Sequence, residues 1–476
     1  MSVARDGQPP DPSRLAAHEG RVLLTAIETV LKGVLESEAE ASVLATPRAG
    51  VFGEVFRTAQ EDGVTRLLTR HELELAAVPD ASRAVTAALH AARSGGGALA
   101  LVPNDQLPSA RESLVAAAGE TLTRGARLCL LLEDAPQDVP DVSPRTIIPQ
   151  LGLACIEPAT LEELRDAVEL ALRLSRTGAQ AVGLIVHDSL LRSAATIEVR
   201  PNRVIDSVDA MLARRRGRRR PRVSEAADTL RFVRRLELNR ATGLPSPGER
   251  TPVGFVTVGP AHAALQHVIS SLGLAGRVAS LQLGAVNPLD EPAVVRLLER
   301  CEHVLVLEPR PGEIETRVLA IAEATRRRGA KPGLVWGQTL PAGDGESASS
   351  TLGVDEAVHP SLLARRIIHV LHRLRPTGRV AGRLVPDPPR LVSDLPARDA
   401  GFGAAAAAVF IRRVLVDVDQ WLRDRTEDER GTPVPRTVLA VDGARPETMA
   451  DRETIVEVWD ASAFLRGGVA AVRHAA

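Results

Sequence analysis

The sequence predicts an α/β protein of several domains, with mostly parallel sheets flanked by helices. Three observations lead there. Short apolar runs alternate with segments of helical periodicity, the pattern of strands joined by crossover helices. The chain is 44% apolar but only 2% aromatic with no Tyr, so its apolar mass is Ala, Val and Leu, as buried parallel strands under helices require. A chain of 476 residues also exceeds what one ordinary core holds.

Taken in order, a polar, Pro-rich segment at 1–12 is expected to be disordered. Residues 13–198 form the first α/β domain. It opens on a helix over Leu15–Leu35 and carries buried strands at Ala98–Val102, Leu128–Leu132 and Val182–Val186. Helices at Leu107–Ala118 and Leu161–Leu174 lie between them. Thr160 and Glu163 have the spacing of a capping box at the start of the second helix. A basic linker follows at 199–249, then a compact βαβαβα pattern over 250–376 with strands at Val253–Val258, Arg277–Leu283 and His303–Glu308. The final region, 377–476, is thinner, with an amphipathic helix at Phe402–Leu422 and short strands at Val438–Val441 and Ile455–Val458.

Composition narrows the function classes. The net charge is −1, so the whole molecule does not attract nucleic acid or an anionic membrane. The arginine-rich run Ala213–Arg222 reads as a solvated linker or helix face, with an RNA contact as its alternative; the absence of flanking aromatics favours the former. Cys129, Cys155 and Cys301 are far apart and form no CxxC, so no iron–sulfur cluster or zinc ribbon is expected, and a reducing cytoplasm fits. No apolar run reaches the ~20 residues of a membrane span. Gly95–Gly97 precedes a strand and is no phosphate loop. The turn at Gly259 enters a helix, where it could cradle an anion or serve as a plain strand-end turn. His262 and His267 lack zinc-site spacing, His71 stands beside Glu72, and no Gly-x-Ser-x-Gly elbow occurs.

Three stretches resemble a known family: Leu23–Arg57, Arg70–Ala77 and Pro252–Val318. The last holds the turn Asn287–Glu291 and the strand end Leu305–Pro309 in order. Together they resemble the α subunit of indolepyruvate:ferredoxin oxidoreductase, within the pyruvate:ferredoxin oxidoreductase group. The resemblance implies a pyrimidine-binding domain, a transketolase C-terminal-like domain and a truncated or degenerate diphosphate-binding region. It implies thiamine diphosphate as cofactor, with Glu72 as the carboxylate that activates the aminopyrimidine and Thr46 and Pro47 shaping the pocket. Glu72 also reads as a charge placed near a helix start, and Pro47, Gly50 and Gly53 as turn residues.

The chain departs from that family in its last region. Val441-Asp442-Gly443-Ala444 stands where the family's Gly-Asp-Ile-Gly-Cys falls, and no Asn follows Asn287, so Asp442 is not expected to hold a metal. Three readings stay open. The chain is a component with a pyrimidine-side half-site, as in the β subunit of 2-oxoacid dehydrogenases. It is a non-catalytic scaffold or regulatory relative. Or it is an RNA-binding module. A homodimer, or a hetero-oligomer with a chain supplying the diphosphate-binding half, is the expected assembly.

Overall fold

A computed structural model of the chain describes residues 12–37, 41–48, 51–123, 125–136, 139, 142–203, 226–340, 352–374, 438–441 and 455–459. The first unit runs α1 (Pro12–Ala16), β1 (Arg21–Thr25), α2 (Ala26–Glu36), β2 (Ala41–Pro47), α3 (Gly53–Ala59), α4 (Asp62–Arg70), β3 (Glu74–Val78), α5 (Ala81–Arg93), β4 (Gly97–Val102), α6 (Leu107–Gly119), β5 (Arg127–Asp134), α7 (Pro144–Gln150), β6 (Ala154–Ile156), α8 (Leu161–Gly178), β7 (Val182–His187), α9 (Asp188–Leu191) and β8 (Ala194–Glu198). The second runs α10 (Ala226–Arg235), β9 (Asn239–Thr242), β10 (Thr251–Val258), α11 (Pro260–Ser271), β11 (Ala279–Leu283), β12 (Ala285–Asn287), α12 (Glu291–Arg300), β13 (Cys301–Leu307), α13 (Glu313–Arg327), β14 (Leu334–Trp336) and α14 (Pro360–Leu374). Two further strands, β15 (Val438–Val441) and β16 (Ile455–Trp459), pair in parallel. The helix expected at Phe402–Leu422 and Asp442 lie outside the described residues. No helix among the described residues is long and apolar enough to cross a membrane.

The main sheet has seven strands in the order β12-β6-β7-β5-β4-β2-β3. All its pairings are parallel except β12–β6. The second sheet has five strands, β14-β13-β10-β11-β9, parallel except for β9. Fold class and the central strands therefore match the sequence expectation. Strands β4, β5 and β7 are buried along their whole length, which is why they read as continuous apolar runs. Alternate residues serve opposite faces: Leu99, Leu131 and Leu184 pack in one core, Leu128, Leu130 and Ile185 in the other.

The expected helix Leu15–Leu35 is two helices separated by a strand. The chain turns at Gly20, and β1 pairs antiparallel with β8, a partner distant in sequence that local periodicity does not register. Thr25 and Glu28 then form a full capping box at the start of α2. Lys32 of α2 is fully buried and ties these pieces together, donating to Ala17 O at 2.6 Å, Arg200 O at 2.8 Å and Asn202 Oδ1 at 2.7 Å. Thr160 caps α8 as expected, but Glu163 returns to the amide of Ala159 rather than closing on Thr160.

The domain boundary is also less simple than the sequence suggests. The stretch taken as linker, 199–249, contains α10 and β9, and β9 is the edge of the second sheet. Conversely β12, from the second unit, completes the first sheet by pairing with β6. Apolar residues of the second unit, such as Val256, Leu281 and Val294, continue the core that lies on one face of the first sheet.

Helices α2 and α8 cross in close contact at Gly33, where an added Cβ would lie 2.7 Å from the carbonyl oxygen of Arg165. Gly33→Ala gains about 1 kcal/mol of helix propensity. Forcing the two helix backbones apart costs about 1–3 kcal/mol. The variant is therefore expected to unfold at lower urea concentration than the wild type; an unchanged or higher midpoint would show that α8 yields without cost.

Candidate functional site

Sheet topology marks one crevice. After β2 the chain enters α3 and α4, which pack on one face of the sheet; after β4 it enters α6, which packs with α5 on the other. Adjacent strands β2 and β4 thus send the chain to opposite faces, and ligands of open α/β sheets bind at the carboxyl ends of such strands. Thr46 and Pro47 end β2 at this place. Both are buried, and the Thr46 hydroxyl donates internally, to Phe52 O at 3.1 Å.

Glu72 is not with them. It follows α4 in a left-handed conformation, φ +49, with its side chain exposed, and the residues after it form strand β3, not a helix. Because Thr46 pairs with Ala77, Glu72 lies at the amino end of β3, roughly 15 Å along the sheet from Thr46. His71 shares that end and faces Arg203, which donates to its carbonyl. The carboxylate at the Thr46 end of β3 is Asp80, which caps α5 by accepting from Arg83 N at 2.8 Å. Asn104, after β4, completes the crevice. It is 1% exposed, its backbone N–H donates to Glu133 Oε2 at 3.1 Å, and its Oδ1 has no partner among the described residues.

A second polar site lies further along the same carboxyl edge, between the two units. Arg145 of α7 is buried at its centre. Its guanidinium grips Glu157 with two bonds, 2.9 and 2.5 Å, and donates to Asp134 at 2.6 Å. From the second unit, Glu313 stands 3.5 Å from Arg145, and Arg310 donates to Asp134 at 3.3 Å. Arg310 also donates to the carbonyls of Val139 and Val142. Burial works against the Arg145 charge, but Asp134 and Glu157 outweigh it and hold its pKa well above the ordinary value. Burial likewise opposes the Asp134 charge; Arg145, His187 and Arg310 together keep it below the usual carboxylate range. The Glu157 carboxylate fills the turn at Gly259, where an added Cβ would lie 2.2 Å from Oε1. The possible anion cradle at the start of α11 thus meets an internal carboxylate.

His187, at the end of β7, joins the same interface: its Nε2 lies 3.0 Å from Asp355 Oδ1 of the second unit. Its Nδ1 lies 2.8 Å from Ser189 Oγ. These are the partners of a nucleophilic triad, but Ser189 sits on a four-residue helix that His187 itself caps, through Ser189 N to Nδ1 at 3.2 Å. The imidazole nitrogen facing the hydroxyl is thereby engaged as a helix cap. Glu308, at the end of β13, accepts the amides of Gly312, Ile314 and Glu315 at the start of α13. Burial nevertheless pushes its pKa up to about 8, and burial pushes Glu133 up to about 7.

Thiamine diphosphate, implied by the resemblance, does not fit the residues described. The carboxylate assigned to the aminopyrimidine is exposed at the wrong end of the sheet. Thr46 and Pro47 are buried in the turn, and no group of three or more His, Cys, Asp or Glu side chains among the described residues is placed to hold a metal. All three cysteines are buried thiols, with Cys301 pushed up to about 12 by burial. Sequence reading missed the Arg145 cluster because its members lie on six separate segments. The available signal was a charged residue at the end of each apolar run, Asp134, His187 and Glu308, where an ordinary buried strand would simply stop.

No family model matches the chain, and no curated protein matches it. Among solved structures it is similar to the 2-oxoglutarate:ferredoxin oxidoreductase from Magnetococcus marinus, with 12% identity and a TM-score of 0.45. The match covers 67% of this chain and 62% of that one, so the chain spans less than two thirds of that protein's length.

Two outcomes follow from the charges. Arg145→Met leaves Asp134 and Glu157 buried without their main cation, and is expected to cost about 3–5 kcal/mol at neutral pH. The loss should shrink toward pH 5 as the stranded carboxyls take up protons; a loss that is equal at both pH values would contradict the electrostatic account. Glu133 and Glu308 have folded pKa values, about 7 and about 8, above the unfolded carboxyl value near 4.3. Their contribution is fully present below that unfolded value and is lost as pH rises through about 7 and about 8. Urea unfolding should therefore show stability falling from pH 5 to pH 9, with a shallower fall in Glu133→Gln.

Proposed function

We propose that this chain is a component of an assembly of the 2-oxoacid:ferredoxin oxidoreductase type, in which it supplies an α/β framework and not a complete cofactor site. One observation carries this reading: Glu72 and the Thr46–Pro47 turn stand at opposite ends of the first sheet. A carboxylate must reach the aminopyrimidine ring to assist it, and no side chain spans roughly 15 Å. The buried Arg145 cluster agrees with a framework role. It fills the space between the units with the protein's own charges, which is a way of fixing two bodies relative to each other.

A half-site completed by a partner chain is the second reading, favoured by Asn104. Its buried side-chain oxygen, without a partner among the described residues, lies at the switch point of the sheet, beside Glu133, whose carboxyl burial pushes up to about 7. An uncompensated buried acceptor there suits a donor brought by a ligand or a second chain. On either reading the purified chain alone holds no thiamine diphosphate.

Calorimetric titration of the chain with thiamine diphosphate and magnesium should give no binding heat at micromolar concentrations, in wild type and Glu72→Gln alike. Micromolar binding abolished by Glu72→Gln would overturn the framework reading. Repeating the titration with a co-purified partner chain separates the two readings. Binding that appears only with the partner, and weakens in Asn104→Ala but not in Glu72→Gln, assigns the half-site to the β2–β4 crevice.

A further inference from the structure

We propose that His187 and Asp355 form a proton-dependent latch between the two units, closed when the imidazole is charged and loosened when it is neutral. The latch holds residues 353–359 of the second unit on the carboxyl edge of the first sheet, and it does not depend on the cofactor reading above.

The geometry is that of a two-state contact. His187 is 1% exposed and Asp355 4% exposed, so neither charge is relieved by water. Asp355 adopts a left-handed backbone, φ +61, an unfavourable conformation for a residue with a side chain. Its amide donates to Pro309 O at 2.8 Å, and its carboxylate meets Nε2 of His187. The strained backbone is thus held from both sides in the position that reaches across the interface.

The other ring nitrogen serves both protonation states. When it lacks a proton, Nδ1 accepts the amide of Ser189 at 3.2 Å. When it carries one, it donates to Ser189 Oγ at 2.8 Å, with Asp188 Oδ1 at 3.3 Å. At Nδ1 protonation exchanges the Ser189 amide for the Ser189 hydroxyl and Asp188, whereas at Nε2 the N–H toward Asp355 is kept and only the charge behind it changes. With the imidazolium present, the contact is a charge-assisted bond between buried opposite charges. With neutral imidazole, the same N–H faces a buried carboxylate whose charge is no longer offset.

The groups facing His187 set where this happens. Burial disfavours the imidazolium, and Asp355, Asp188 and Asp134 outweigh it, holding the His187 pKa above the ordinary histidine value. Asp188 is paired with Arg192, and Asp134 with Arg145 and Arg310, so these cations moderate the effect. The latch contribution is fully present below the unfolded histidine value near 6.5 and is lost as pH rises through the higher folded value.

Hydrogen exchange of the full chain, read by mass spectrometry and corrected for intrinsic exchange rates, tests this. Between pH 6 and pH 9 the protection of 352–359 should fall about tenfold for each unit by which the folded pKa exceeds the unfolded one. Protection of β4 and β5 should follow only the global stability measured by urea unfolding at the same pH values. Asp355→Asn keeps a residue that tolerates the left-handed backbone, and it should show weak, pH-independent protection of the loop. His187→Gln should do the same, while Glu133→Gln should keep the wild-type pH dependence. Equal wild-type protection at both pH values would overturn the latch. So would an Asp355→Asn loop that retains the wild-type pH dependence, because the titration would then belong to another group such as Glu308.

Discussion

The arrangement of the two units rests on one guanidinium. Arg145 is removed from water, at an effective cost of several kcal/mol for such an ion. Its Glu157 fork and Asp134 bond offset that cost only in this geometry. Neither carboxylate tolerates its own burial without Arg145, so the three are mutually dependent. Arg310 and Glu313 then extend the dependence to the second unit. Apolar packing allows many relative positions of two bodies; fixed donors and buried acceptors allow few. The antiparallel β12–β6 pairing reinforces this by making the second unit a strand of the first unit's sheet.

Lys32 plays a comparable part within the first unit. Burial lowers its pKa, and Glu36 is the charge that opposes the shift. Its three other acceptors come from the segment before β1 and the segment after β8. The ammonium therefore closes the ends of the unit on α2. Both cations sit where chain segments distant in sequence converge and apolar contact alone would not specify register. They differ in consequence: the Lys32 site is internal to one unit, whereas the Arg145 site couples two, which is why a titrating histidine at its rim has something to act on.

The same edge of the main sheet thus carries two kinds of polar site. At the β2–β4 switch point, the Asn104 side-chain oxygen is unmatched among the described residues. At β5, β7 and β6, the ends of the strands are closed by charges belonging to the chain itself. The first position is buried but polar, and the second is closed by pairs of opposite charge that hold the two units together.

The sequence by itself determined the fold class and the buried strands. Apolar runs such as Gly97–Val102 and Arg127–Asp134 can be satisfied only by a sheet covered on both faces, and the Thr160 cap needs only local geometry. Strand β1 was not legible, because its partner β8 lies far along the chain and its own apolar spacing also suits a helix. Nor was β9, whose polar residues Asn239 and Arg240 look like a linker until β11 supplies an edge. The site was less legible still. Glu72 follows a basic-polar turn whichever element comes next, and only the pairing of Thr46 with Ala77 shows that β3 carries it to the far end. Arg145, Glu157, His187, Arg310 and Asp355 have no common motif. Their meeting depends on where strand ends fall in three dimensions, and charge pairing across such distances leaves no period for a sequence to display.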